Sequence, residues 1–166
     1  MSKLRERLQQ RALPLDVWWV RIDPLDVVAK AKEVLEEAED ALRVTQVTAE
    51  EGAPELAAAM ERVERARVAV AACYEPVTVL ALDPTEYEAL LKEHPPQTKE
   101  AAWGPGFGRA LLLEGVQGDM DRDEWVVWLD SRLSHGERVE AYNLALSVNV
   151  RVLDPGIPKG WTVTRS

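Results

Sequence analysis

A chain of 166 residues is long enough to bury one real core, or a core with an appendage. Its 20 basic and 29 acidic residues leave a net charge of −9, which argues against a phosphate-binding face and favours basic or apolar partners over nucleic acid. Cys73 is the single cysteine, so an intrachain disulfide framework is excluded and a reducing cytoplasm fits, while no apolar run reaches the roughly 18 residues that cross a membrane.

Residues 1–16, "MSKLRERLQQRALPLD", read as an N-terminal arm, a basic helix without the apolar core of a secretory signal. "DVWWVRID", 16–23, is dense in β-branched and aromatic residues and reads as a strand. Neighbours on a strand face opposite sides. One of Trp18 and Trp19 is therefore expected in the core, the other covered by the following helices or exposed for a partner. Two helices are expected next. The first runs over 24–44, capped by Asp23, with the seam Val28, Ala31, Leu35, Ala38 and Leu42. The second runs over 54–73, with the seam Leu56, Ala59, Val63, Ala66, Val70 and Cys73. Small residues alternate with large ones in both seams, so residues 24–73 are expected to form a closely packed antiparallel hairpin. Glu39 with Arg43 and Glu61 with Arg65 are spaced for pairs on its outer faces. A second strand, "EPVTVLAL" at 75–82, returns the chain to the first.

"DPTEYEALLKEH", 83–94, opens with Asp83 as N-cap, Pro84 in the first helical position and Glu86 in the third. Tyr87, Leu90 and Leu91 form its apolar face. His94 is placed to meet the terminal carbonyls, and Pro95 and Pro96 stop the helix. "PPQTKEAAWGPGFG", 95–108, is a loop, followed by helices around 109–116, 121–133 and 134–150. Residues 151–166 are expected to be a flexible C-terminal tail. The fold class is α+β, mostly α: a small two-stranded sheet carrying a helical hairpin, then a small helical bundle, in one domain over 17–150.

Reactive constellations are scarce. His94 is explained by its helix end, and Ser134 beside His135 reads as an N-cap completed by Glu137 rather than as a nucleophile with its base. Asp119, Asp121 and Asp123 have the first ligand spacings of a calcium loop, with Asp130 where the bidentate acid would stand. Glu124, however, occupies the position that needs glycine, and "DRDEW" reads as Asp121 capping a helix. "GPGFG" lacks the lysine of a phosphate loop. No catalytic residue, metal or cofactor is expected.

The order of these pieces resembles the tail assembly chaperones of long-tailed, siphovirus-like bacteriophages. The opening strand ends in Arg21-Ile22-Asp23, and a helical pair and a strand follow. Next comes an element matched by Tyr87, Glu88, Leu90, His94, Pro95 and Pro96. Trp103 and Phe107 then precede "ALLLEG", with Gly104 and Gly108 where the family pattern has Asn and Pro. Glu124-Trp125, Leu133-Ser134-His135-Gly136-Glu137 and Leu144 to Asn149 complete the match over about 17–150.

The resemblance implies a non-enzymatic protein of the bacterial host cytoplasm, absent from the finished virion. It would bind the tape-measure protein and keep it soluble for tail-tube assembly. The tail-tube protein and further copies of the chain are additional candidate partners; nucleic acid and membrane are not. A structural or tail-completion component of the phage tail is the alternative. The residues nominated to face a partner are Trp103, Phe107, Leu111 and Leu112, with Trp18 or Trp19 as the other candidates.

Overall fold

In the computed structural model, residues 3–50 and 52–150 are described, and the expected flexible tail at 151–166 lies outside them. In chain order the elements are α1 (Lys3–Gln9), β1 (Leu15–Arg21), α2 (Leu25–Thr48), α3 (Pro54–Ala71), β2 (Tyr74–Leu80), α4 (Pro84–Glu93), α5 (Phe107–Gly115), α6 (Arg122–Arg132) and α7 (His135–Val150). The fold is α+β and mostly α, with β1 and β2 paired in a two-stranded antiparallel sheet. The chain groups into two compact units: Trp19–Pro76, and the residues up to Trp18 together with those from Val77 onward.

In the unit Trp19–Pro76 the seams pack as their spacing predicts. Ala38, Val63 and Ala66 are buried between α2 and α3, with Leu35 and Leu42 packed against them. Alanine is the reason the axes can approach, because a larger side chain at Ala38 would hold them apart. The hairpin also closes on itself at its base. The carbonyl of Cys73 accepts the backbone N–H of Ile22 at 3.0 Å and that of Asp23 at 3.5 Å.

Three details of the hairpin differ from the sequence expectation. Asp23 does not cap α2: Pro24 takes the N-cap position with extended backbone, leaving the Asp23 side chain one residue too early to reach the first turn. α2 also continues past residue 44 to Thr48. The hydroxyls of Thr45 and Thr48 donate to the carbonyls of Ala41 and Val44, so both threonines satisfy themselves within the helix. The ion pairs are redistributed as well. Glu39 meets Arg67 across the hairpin at 3.1 Å, and Arg43 pairs with Asp40 one turn back. Among the described residues Glu61 and Arg65 do not pair.

In the other unit, α5 presents Phe107, Ala110, Leu111, Leu112 and Gly115 to the interior. α7 answers with Ala141, Ala145 and Val148, spaced four and three apart on one face. Three helices begin on reciprocal caps. Asp83 with Glu86 opens α4, Asp121 with Glu124 opens α6, and Ser134 with Glu137 opens α7. Each such cap contributes about 1 kcal/mol.

Asp130 accepts Arg109 of α5 at 2.8 Å and has Arg138 of α7 at 3.8 Å, so it joins three helices. The Asn149 side chain accepts the backbone N–H of Leu82 at 2.9 Å and anchors the end of α7 beside the segment leaving β2. Val79 also bridges Val116 in antiparallel fashion, extending the pairing by one residue.

Candidate partner-binding surface

β1 alternates as a strand should. Trp18 is buried, and its ring meets Trp128 of α6 edge-on at 5.9 Å, with Trp125 edge-on to Trp128 at 5.7 Å. Trp19, facing the other way, is 57% exposed. The same unit exposes Ile22 and Leu25 just after it along the chain. Of the adjacent pair, Trp18 is thus the core residue and Trp19 the surface one.

The second site is built around Phe107, the first residue of α5. Its ring is 1% exposed and has three aromatic neighbours. Tyr87 from α4 meets it edge-on at 5.5 Å, Trp103 lies parallel to it at 6.4 Å, and the His94 ring is tilted at 6.3 Å. The Trp103 indole N–H donates to the Tyr87 hydroxyl at 3.3 Å. Trp103 itself is 37% exposed, so it forms the outer layer of a rigid aromatic stack.

The loop carrying Trp103 is held by the end of α4. Gly104 N–H donates to the carbonyl of His94 at 3.0 Å, and His94 Nδ1 lies 3.2 Å from the carbonyl of Pro105. A neutral His94 makes that bond only with the proton on Nδ1. The histidine therefore fastens the loop rather than meeting the last carbonyls of its own helix, as the sequence suggested. Two glycines make the loop possible. A Cβ at Gly104 would lie 2.3 Å from the carbonyl oxygen of Pro95, and Gly106 caps α5 in the left-handed region at φ 79°.

Leu111 and Leu112 sit one turn further along α5 and are fully buried, as is Phe107. Of the six nominated residues, Trp19 and Trp103 are on the surface, while Trp18, Phe107, Leu111 and Leu112 support the fold beneath it. Sequence reasoning missed the His94–Pro105 contact and the parallel Trp103–Phe107 rings, whose formation depends on the loop path.

Chemically the surface offers aromatic faces and few polar groups. Cys73 is buried, its Sγ lies 3.4 Å from the Ala69 carbonyl, and burial followed by the neighbouring Asp23 carboxylate pushes its pKa up, away from nucleophilic use. Among the described residues, no cluster of three or more His, Cys, Asp or Glu side chains could hold a metal ion. No helix among them is long and apolar enough to cross a membrane. Comparison with models of known protein families, with curated proteins and with solved structures found no match to this chain.

Proposed function

We propose that this protein is a non-enzymatic tail assembly chaperone of a long-tailed bacteriophage, which binds the tape-measure protein and keeps it soluble for tail-tube assembly. One observation carries the proposal. Four residues from two successive pieces of the family pattern, Tyr87 and His94 from one and Trp103 and Phe107 from the next, meet in a single aromatic cluster. These two pieces thus share one three-dimensional feature with an exposed tryptophan at its surface. A rigid aromatic face is suited to gripping the apolar stripe of a helical client, and the net charge of −9 keeps the loaded complex soluble.

The test is co-expression of the tagged chain with the tape-measure protein, the long helical product of the next gene downstream. The expected result is that the long protein becomes soluble and co-elutes, and that Trp103→Ala or Trp19→Ala reduces the recovered complex without unfolding the chain. A tape-measure protein that stays insoluble and unbound would overturn the proposal. Finding the chain in assembled tails would assign it to the virion structure instead.

A further inference from the structure

We propose that α1 of one copy docks in a groove along α6 of a second copy, so that the chain self-associates head to tail. Two features that the chaperone reading leaves unused carry this inference, and it does not depend on that reading.

The first feature is the arm. No residue of α1 is buried, and Leu4 and Leu8, one turn apart, are 61% and 63% exposed. Helical spacing sets Lys3 and Arg7 along one flank of the leucine stripe and Arg5 along the other, with Glu6 on the opposite face. A basic, amphipathic segment thus projects from a protein whose net charge is −9.

The second feature is the groove. Met120, Val127 and Trp128 form the apolar floor of a shallow depression of about 460 Å³, and Val127 is 65% exposed. Asp123 and Glu124 stand on its rim near the start of α6, and Ser131 and Arg132 line its other end. Arg122, which precedes Asp123 in the chain, is engaged by Glu114 of α5. Of the aspartates that imitate a calcium loop in the sequence, Asp123 therefore borders an apolar surface.

Charge and shape together select the occupant. An apolar stripe with basic flanks matches an apolar floor whose rim is acidic at the end held by Asp123 and Glu124, and among the described residues α1 is a segment with that pattern. Its own groove does not hold it, since every residue of α1 is exposed. The arm's root is also fixed, because the Pro14 carbonyl accepts the Ala81 N–H at 2.8 Å. An arm and a groove are different surfaces, so the contact is heterologous and can propagate from copy to copy.

Sedimentation velocity of the full chain across a concentration series, at low and high salt, tests this. The average mass should rise with concentration and fall with salt. Leu8→Ser in the arm should weaken association roughly tenfold, the value of one buried leucine. Val127→Glu in the groove should weaken it as strongly. Both positions are exposed, so each variant should keep the wild-type thermal unfolding curve.

The decisive experiment mixes the two variants. At a concentration where the wild type is associated and each variant alone is mostly monomeric, the mixture should form a one-to-one pair, because one retains an arm and the other a groove. A chain that stays monomeric at every concentration would overturn the proposal. So would association that survives either substitution, or a mixture that fails to pair. Capture of the monomeric chain by anionic lipid vesicles would instead assign the arm to a membrane surface.

Discussion

Gly104→Ala probes the loop that presents Trp103. The added methyl carbon would lie 2.3 Å from the carbonyl oxygen of Pro95, 2.5 Å from that of His94 and 2.7 Å from the His94 carbonyl carbon. All three atoms are backbone, so no side chain can rotate aside, and the loop must lift by the better part of an ångström. That movement breaks the 3.0 Å bond from Gly104 N–H to His94 and disturbs the Pro105 contact with the His94 ring. Steric displacement of this kind costs about 1–3 kcal/mol. The lost backbone bond adds about 1 kcal/mol. Reduced freedom of the unfolded chain returns roughly 0.5 kcal/mol. The net is about 1.5–3.5 kcal/mol, or roughly 3–14 °C in melting temperature for a chain of this size.

Thermal unfolding followed by circular dichroism measures the loss, and the Trp103 indole N–H resonance reports whether its bond to Tyr87 persists. Gly136→Ala is the matched control, since open space surrounds a Cβ there and the residue lies in α7. It should leave stability unchanged or raise it by about 0.5–1 kcal/mol. If Gly104→Ala melted with the wild type and kept the Trp103 resonance in place, the steric argument and the fastening role of His94 would both be wrong.

Further outcomes follow from burial. Ala38→Leu should force α2 and α3 apart and lower stability by about 1–3 kcal/mol in urea titration, whereas the same change at exposed Ala29 should be nearly neutral. Phe107→Ala removes the centre of the aromatic cluster and should cost about 3–5 kcal/mol, while Trp19→Ala should barely move the denaturation midpoint. Cys73 should resist alkylation in the folded protein and react readily once the chain is unfolded, as a thiol-reactive chromophore would report. Its raised pKa also has a sign. The unfolded thiol ionises first, from the ordinary value of 9.0, so stability should fall as pH rises above that value, and Cys73→Ala should flatten the decline.

Local chemistry made much of this fold readable. The caps at Asp83, Asp121 and Ser134 depend on residues three apart, and the hairpin seams depend on a period that survives into the packed structure. Contacts between distant positions could not be read in the same way. Asp130 has no role in the sequence reading once the calcium-loop spacing is set aside, because spacing alone cannot reveal Arg109 and Arg138 arriving from two other helices. Phe107, Leu111 and Leu112 looked available because they follow a Gly/Pro loop, yet that loop folds back on α4 and α7 covers the helix they lie on. The glycine at 104 acquires its meaning only from carbonyls nine and ten residues earlier in the chain.

The base of the hairpin bears on how the chain finds its structure. α2 and α3, with 24 and 18 residues, leave β1 and come back to β2 at the shared carbonyl of Cys73. Pairing two strands across so long a separation would ordinarily be a slow search, because closing the loop costs chain entropy before any strand contact forms. A helical pair assembles from near neighbours and delivers its two ends to the same place, so β1 and β2 meet as if joined by a short turn. Insertions or deletions that preserve the phase of the seam should therefore leave the sheet intact, and relatives of this protein should differ in hairpin length more readily than anywhere else.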